Sequence, residues 1–447
     1  MQPSGVDKKL GGLPLLILGC QHVMVMYAGA VAIPLVLGAA LKLPKEQVAF
    51  LINADLFACG LATIIQSLGV GLFGIRLPVM MGVTFTAIGP MIAIGSDPNA
   101  GLLGIFGATI GAGLFGIVVA PLVGKLLRFF PPVVTGTEIL AVGLSLMVVA
   151  AAWSAGGFGN PDFGNPLYLG IAATVLVSIL LLVRYTRGFL NNIAILLGLA
   201  IGFLVSGAAG QVSLGELSEA PWFGFILPFH FGLPKFSFWP IAAMCIVMLV
   251  TFIESTGMFL ALGEIVEKPV SEKDLVRGFR ADGVGTMIGG IFNTFPYTSY
   301  AQNVGLVSVT GVRSRWVCAT AGVILMVLGL FPKVAVLVAS IPPFVLGGAG
   351  IVMFGMVTAS GIKVLARVDF HNVKNLYIVA ISIALGMLPV VSPKFFSRLP
   401  HELAPILESP ILLTAISAIL LNIFFNGLGD AKEARASLMA TAKEADL

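Results

Sequence analysis

Charged side chains are scarce in this sequence. Asp, Glu, Lys and Arg make up 10% of its 447 residues, 58% are hydrophobic, and the mean hydropathy is +1.03. Soluble globular proteins carry about 25% charged residues, so the shortage excludes a soluble domain and points to an integral membrane protein. Cysteine is also rare. Cys20, Cys59, Cys245 and Cys318 all lie in apolar runs without zinc or CxxC spacing, so neither a disulfide framework nor a metal centre is implied. There are four histidines, and Ser, His and acidic residues are scattered between apolar runs, which argues against an enzyme and implies no cofactor. The net charge of +4 is small, and its carriers read as topology signals rather than a nucleic-acid patch.

What is abundant is apolar sequence. Runs long enough to span a bilayer recur along the whole length, giving roughly fourteen candidate helices at ~20 residues each. The first, near Leu13 to Leu41, is too long for the core of a cleaved signal peptide and is expected to be retained. With the N-terminus inside, most of the 25 Lys and Arg residues fall on the cytoplasmic side, which favours both termini inside and an even span count.

Two stretches break the pattern. In Phe292 to Thr310, FNTFPYTSYAQNVGLVSVT, Pro296 removes a backbone donor while Asn293, Gln302 and Asn303 bring amides to membrane depth. Val304, Val307 and Val309, with Ser308 and Thr310, suit a short extended run better than a helix, so extended residues followed by a half-helix are expected here. Arg76 to Gly95 is of the same kind, with Pro78, Pro90, Gly82 and Gly89 around Val83-Thr84-Phe85-Thr86. Irregular backbone at membrane depth is tolerated only where protein buries it or it lines a cavity. Paired interrupted segments in corresponding halves point to a transporter's binding site. Counting places these two third and tenth, seven apart, as two inverted seven-span repeats require.

Isolated polar residues supply the candidate chemistry. Glu254 has long apolar flanks on both sides, and a carboxylate at that depth must be protonated, paired or in a wet cavity. Glu138 is the one carboxylate near an apolar interior among spans four to seven, which otherwise read as packing spans. Asp282 is either a surface ion-pair partner of Arg280 or an interior group at a Gly-rich helix start. Asp55 sits close to an outer end and is expected to reach water. His22, beside Gln21, reads as a structural hydrogen-bonder in preference to a proton carrier.

These residues also resemble a known family. QNVGLVSVTG, Gln302 to Gly311, is similar to the defining motif of the nucleobase–ascorbate transporters, Gln/Glu-Asn-x-Gly-x4-Thr, with Gln302, Asn303, Gly305 and Thr310 in the motif positions. Gln21-His22, Glu254 and Asp282 resemble its first-span pair and its span-eight and span-nine carboxylates. Within the family the chain looks like bacterial purine permeases of the uric acid type.

The resemblance implies an all-α polytopic protein of 14 transmembrane segments in two inverted 7-span repeats, with short strands in broken spans 3 and 10. It implies a core domain at 1–130 (spans 1–4) and 236–340 (spans 8–11). A gate domain would fall at 131–235 (spans 5–7) and 341–429 (spans 12–14), with a cytoplasmic tail at 430–447. It further implies proton-coupled import of uric acid, xanthine or another nucleobase across a bacterial inner membrane, as a homodimer. Glu254 would bind the purine and exchange the coupled proton, with Asp282 as a second coupling residue. Gln302, the Ala301 backbone N–H and Phe85 would contact the ring, Thr84 and Met258 would tune selectivity, and Asn303, His22, Gly305 and Thr310 would shape the site. Met258 and Val304 resemble the uric acid type, where xanthine-selective members carry Asp and Asn; Ala301 and Gly311 resemble the xanthine type.

Overall fold

The computed structural model describes residues 5–123, 127–400 and 403–428. The expected tail at 430–447 lies outside the described residues. The main elements run in the order α1 (Gly12–Ala40), α2 (Lys45–Leu68), β1 (Met81–Val83), α3 (Ile88–Ser96), α4 (Gly101–Val119), α5 (Pro132–Ser154), α6 (Pro166–Tyr185), α7 (Ala194–Ala208), α8 (Phe238–Ile265) and α9 (Glu272–Ile291). Then come β2 (Tyr297–Ser299), α10 (Ala301–Thr310), α11 (Arg315–Gly329), α12 (Pro343–Leu365), α13 (Val373–Val391) and α14 (Pro410–Asn426). Among the described residues, 8 helices are long and apolar enough to cross a membrane, or 9 if α11 and Pro332–Ala339, bent by 81°, form one span. The chain is thus a multi-pass membrane protein.

The helices pack in two sets. One joins α1, α2, α4, α8, α9 and α11; the other joins α5, α6, α7, α12, α13 and α14. In α6 and α13 only 22% and 17% of the spanning window is buried, which leaves their apolar faces for lipid or another chain.

Between the long helices of the first set lies a two-stranded antiparallel ribbon, with Met81 opposite Ser299, Gly82 opposite Thr298 and Val83 opposite Tyr297. Thr84 N–H donates to Pro296 O (3.0 Å) and Tyr300 N–H to Met80 O (3.0 Å) at its ends. Such a short ribbon has two open edges, and at membrane depth each would strand backbone groups. Side chains of the flanking helices fill them. From α2, Thr63 Oγ1 accepts from Met81 N–H (3.0 Å), and Ser67 donates to Val79 O (2.8 Å). From α9, Thr286 Oγ1 accepts from Tyr297 N–H (3.2 Å). Because the strands are antiparallel, α3 and α10 leave the ribbon in opposite directions, each with the positive end of its dipole at the ribbon.

The extended residues of the second break lie earlier than expected. Val304, Val307, Ser308, Val309 and Thr310 are helical, and the strand is Tyr297–Ser299. The β-branched residues yield because strand preference is worth little without a partner, and only 297–299 faces β1. Asn293 supplies the turn before the strand: its φ is 63°, and Thr294 N–H donates to Gly289 O (2.8 Å) and Asn293 N–H to Gly290 O (3.4 Å), closing α9 in a Schellman motif.

A further tie binds the N-terminal segment. Val6 is fully buried, its carbonyl accepts from Arg315 N–H (3.0 Å), and Arg315 Nε meets Asp7 at 2.7 Å. Arg315 Nη1 also donates to Leu68 O (2.6 Å), and Ser314 Oγ to Lys8 O (2.6 Å).

Candidate functional site

Glu254, midway along α8, meets the ribbon. Its Oε1 accepts from Thr86 Oγ1 (2.9 Å), and its Oε2 from Thr84 (3.4 Å) and Thr298 (3.5 Å). Three hydroxyls from both broken segments therefore converge on one carboxyl. Thr84 also accepts from Thr86 N–H (3.3 Å), capping the turn that leads into α3. Thr86 and Thr298 were missed by the sequence reading. Thr84 and Thr86 alternate around Phe85, and that period of two was the available signal for a shared face.

The motif residues divide by environment. Ala301 and Gln302 are exposed at the first turn of α10, where backbone N–H groups lack helical partners, and no cap side chain covers them. Asn303, one residue on, is buried, and its Nδ2 donates to His22 O (2.9 Å) and lies 3.2 Å from His22 Nδ1. Thr310 Oγ1 donates to Leu306 O (2.7 Å) and accepts from Val312 N–H (3.4 Å), closing α10 before Gly311 at φ 64°. Gly305 is exposed with open space around it. Phe85 is half-buried and sets its ring edge-on to Phe354 of α12 (5.9 Å), so it spans the two helix sets. Met258 is half-buried one helical turn after Glu254.

The two remaining acids are interior. Asp282 is fully buried, which removes the surface reading: its Oδ1 accepts from Gln66 Nε2 (2.7 Å), and that amide holds Ile75 N–H through Oε1 (2.9 Å). Asp55 does not reach water. It is buried behind the ribbon, with Oδ1 accepting from Tyr297 OH (2.8 Å) and Thr294 Oγ1 (3.1 Å). Those partners lie far along the chain, so nothing near Asp55 in sequence announces them.

A Gln302→Ala variant is expected to weaken substrate binding about tenfold, since an exposed amide with donor and acceptor is lost and each hydrogen bond is worth about 0.5–1.5 kcal/mol. Asn303→Ala is expected to lower expression and rate more than affinity, because its bonds go to His22. Titration of labelled substrate onto both purified variants checks this; equal affinity loss in the two would contradict the division.

Comparison with known proteins places this geometry. Residues 13–395 match the Permease family, Xan_ur_permease. The uric acid transporter UacT of Escherichia coli is 57% identical over 94% of this chain and 88% of its own length. The xanthine permease of Bacillus subtilis is 46% identical, over 93% and 94%, and the uric acid permease PucJ of the same organism 45%, over 93% and 93%. Among solved structures, the transmembrane domain of the cyanobacterial bicarbonate transporter BicA superposes with a TM-score of 0.60 at 17% identity, over 93% of this chain and 99% of that one. Murine Slc26a9, an anion transporter in the inward-facing state, gives 0.62 at 14%, over 93% and 69%. At such identities these two show the fold alone. The curated relatives are named transporters and permeases, not enzymes, and at this identity and coverage the chain belongs to the nucleobase–ascorbate transporter family of membrane permeases.

Proposed function

We propose that this protein is a proton-coupled symporter that imports an oxidised purine, uric acid and/or xanthine, across the bacterial inner membrane. The observation that carries the reading is the Glu254 carboxyl, held by hydroxyls of both broken segments beside the uncovered first turn of α10 and the free Gln302 amide. A carboxyl there binds a purine N–H and exchanges a proton; an amide reads an adjacent carbonyl and N–H edge. Asp282, through Gln66, holds the backbone that carries the site and is the second coupling candidate. The names of the curated relatives support uric acid and xanthine as cargo.

In this reading α1 to α14 are fourteen spans in two inverted repeats, with α3 and α10 as half-spans completed by the strands. The first helix set is the core and the second the gate. Both termini are cytoplasmic, and the exposed faces of α6 and α13 meet lipid or a second copy in a homodimer. Uptake of labelled urate, xanthine and uracil, with and without a proton uncoupler, tests the function. Accumulation that collapses with the uncoupler is expected. An anion exchanger or channel-like permease of the same fold would equilibrate without accumulating; strong uracil accumulation would move the assignment to another nucleobase.

Urate over xanthine is the expected preference. Met258 shares a face with Glu254, and an Asp in its place would repel an anionic purine, whereas a thioether offers an adaptable apolar wall. Met258→Asp is expected to shift the urate-to-xanthine uptake ratio toward xanthine several-fold, and Thr84→Ala to shift it less, since Thr84 spends its hydroxyl on Glu254. Competition of xanthine against labelled urate reads both ratios; an unmoved ratio in Met258→Asp would remove that side chain from selectivity.

A further inference from the structure

We propose that Glu138 of α5 takes the coupling proton from Glu254 and carries it toward the Pro132 end of α5, an inference that rests on the reading of Glu254 as the coupling group. Glu138 is buried, its Oε1 has no hydrogen-bond partner among the described residues, and it lines a cavity with Glu254. The cavity is also lined by Phe130, just before α5, Val134 and Thr135 of α5, Val250 and Ile253 of α8, and Ala415 of α14, so it sits where the two helix sets meet. Its volume is ≈ 10 Å³ for a water's centre, about what one water needs. The two carboxyls share no hydrogen bond, so one bridging water is the connection they require.

An unpaired carboxyl in an apolar wall costs several kcal/mol, and a purely structural role leaves that cost unmet. Two charged carboxylates across so small a gap repel strongly, whereas one proton between them removes the repulsion. The transfer balances by itself. The Glu254 O–H bond breaks, the bridging water passes a proton on, and a Glu138 O–H bond forms, so the negative charge moves from α5 to α8.

Position gives the direction. Glu138 is about 9 Å from the Pro132 end of α5, and Glu254 about 16 Å from the Ile265 end of α8, at 1.5 Å per residue. Both ends are cytoplasmic in the proposed topology, so Glu138 is the nearer to that face. The helices packed on α5 bring Tyr168, Arg184, Tyr185, Lys363, Lys374 and Tyr377, and none is bonded to Glu138 among the described residues. From α8 the acids are Glu254 and Glu264.

The test is proton entry into proteoliposomes loaded with a pH-sensitive dye, on adding urate or xanthine, alongside purine–purine exchange in the same vesicles. Glu138→Gln and Glu138→Leu are expected to retain exchange and to lose purine-driven proton entry at least tenfold. Should the leucine variant fail to fold, the glutamine variant, of the same shape, carries the test. Wild-type proton entry in a folded Glu138→Gln would overturn the relay while leaving the symport reading intact. Loss of exchange together with proton entry would also overturn it, since a binding or structural role predicts that pattern. Absence of proton entry in the wild type would overturn the symport reading itself, and the relay with it.

Discussion

Glu254→Gln is expected to abolish concentrative uptake while purine binding persists. Glutamine keeps the length and shape of the side chain, so the hydroxyls of Thr84, Thr86 and Thr298 retain an acceptor on one arm. What disappears is the exchangeable proton. Without it a loaded carrier gains nothing from the proton gradient, and the intracellular purine level should fall to the external one. Exchange of unlabelled for labelled purine, which needs no net proton movement, should survive. Glu254→Ala removes the acceptor as well and should lose binding too. The measurement is accumulation ratio and exchange rate at matched expression; a glutamine variant that accumulates purine normally would remove Glu254 from coupling.

Gly82→Ala is expected to cost more than any other single methyl in the site. Gly82 lies in β1 with the Tyr300 ring pressed against its Cα, so an added Cβ would overlap the ring. The ring has nowhere to go. Its other edge lies against Gly29 of α1, where a Cβ would also collide, and Tyr300 is almost completely buried. Overpacking of a tight core typically costs about 1–3 kcal/mol and occasionally more, and here it would push the ribbon that presents Thr84 and Thr298 to Glu254. The expected outcome is a large drop in the yield of folded protein and in thermal stability, with the remainder inactive. Detergent-solubilised thermal unfolding and uptake measure both; a Gly82→Ala protein as stable and active as wild type would show that the contact is looser than described.

How much of this could be read from residues follows their partners. The two breaks were legible because proline, glycine and amides at membrane depth leave few alternatives. The exact strand was not, because β-branched residues after Gln302 compete with a pairing that only β1 can decide. Glu254 was legible as a lone carboxyl with apolar flanks. Glu138 stood out in the same way, as the one carboxylate near an apolar interior among spans four to seven, but it received no role because sequence does not show that α5 faces α8 at this cavity. Asp55 was misplaced for a related reason: its apparent closeness to an outer end suggested water, and its real partners, Tyr297 and Thr294, lie in the other break. The split between Gln302 and Asn303 needed only the helical turn of α10, which points neighbouring side chains about 100° apart.

The tie made by Val6, Asp7 and Arg315 bears on how the protein is handled. One guanidinium joins the first residues of the chain to the end of α2 and the start of α11. Purification tags and fluorescent fusions placed directly against Val6 would crowd that knot, and a shortened leader lacking Asp7 would leave Arg315 facing Leu68 O with its carboxylate gone. Labels at this end belong behind a spacer long enough to let Val6 reach its pocket.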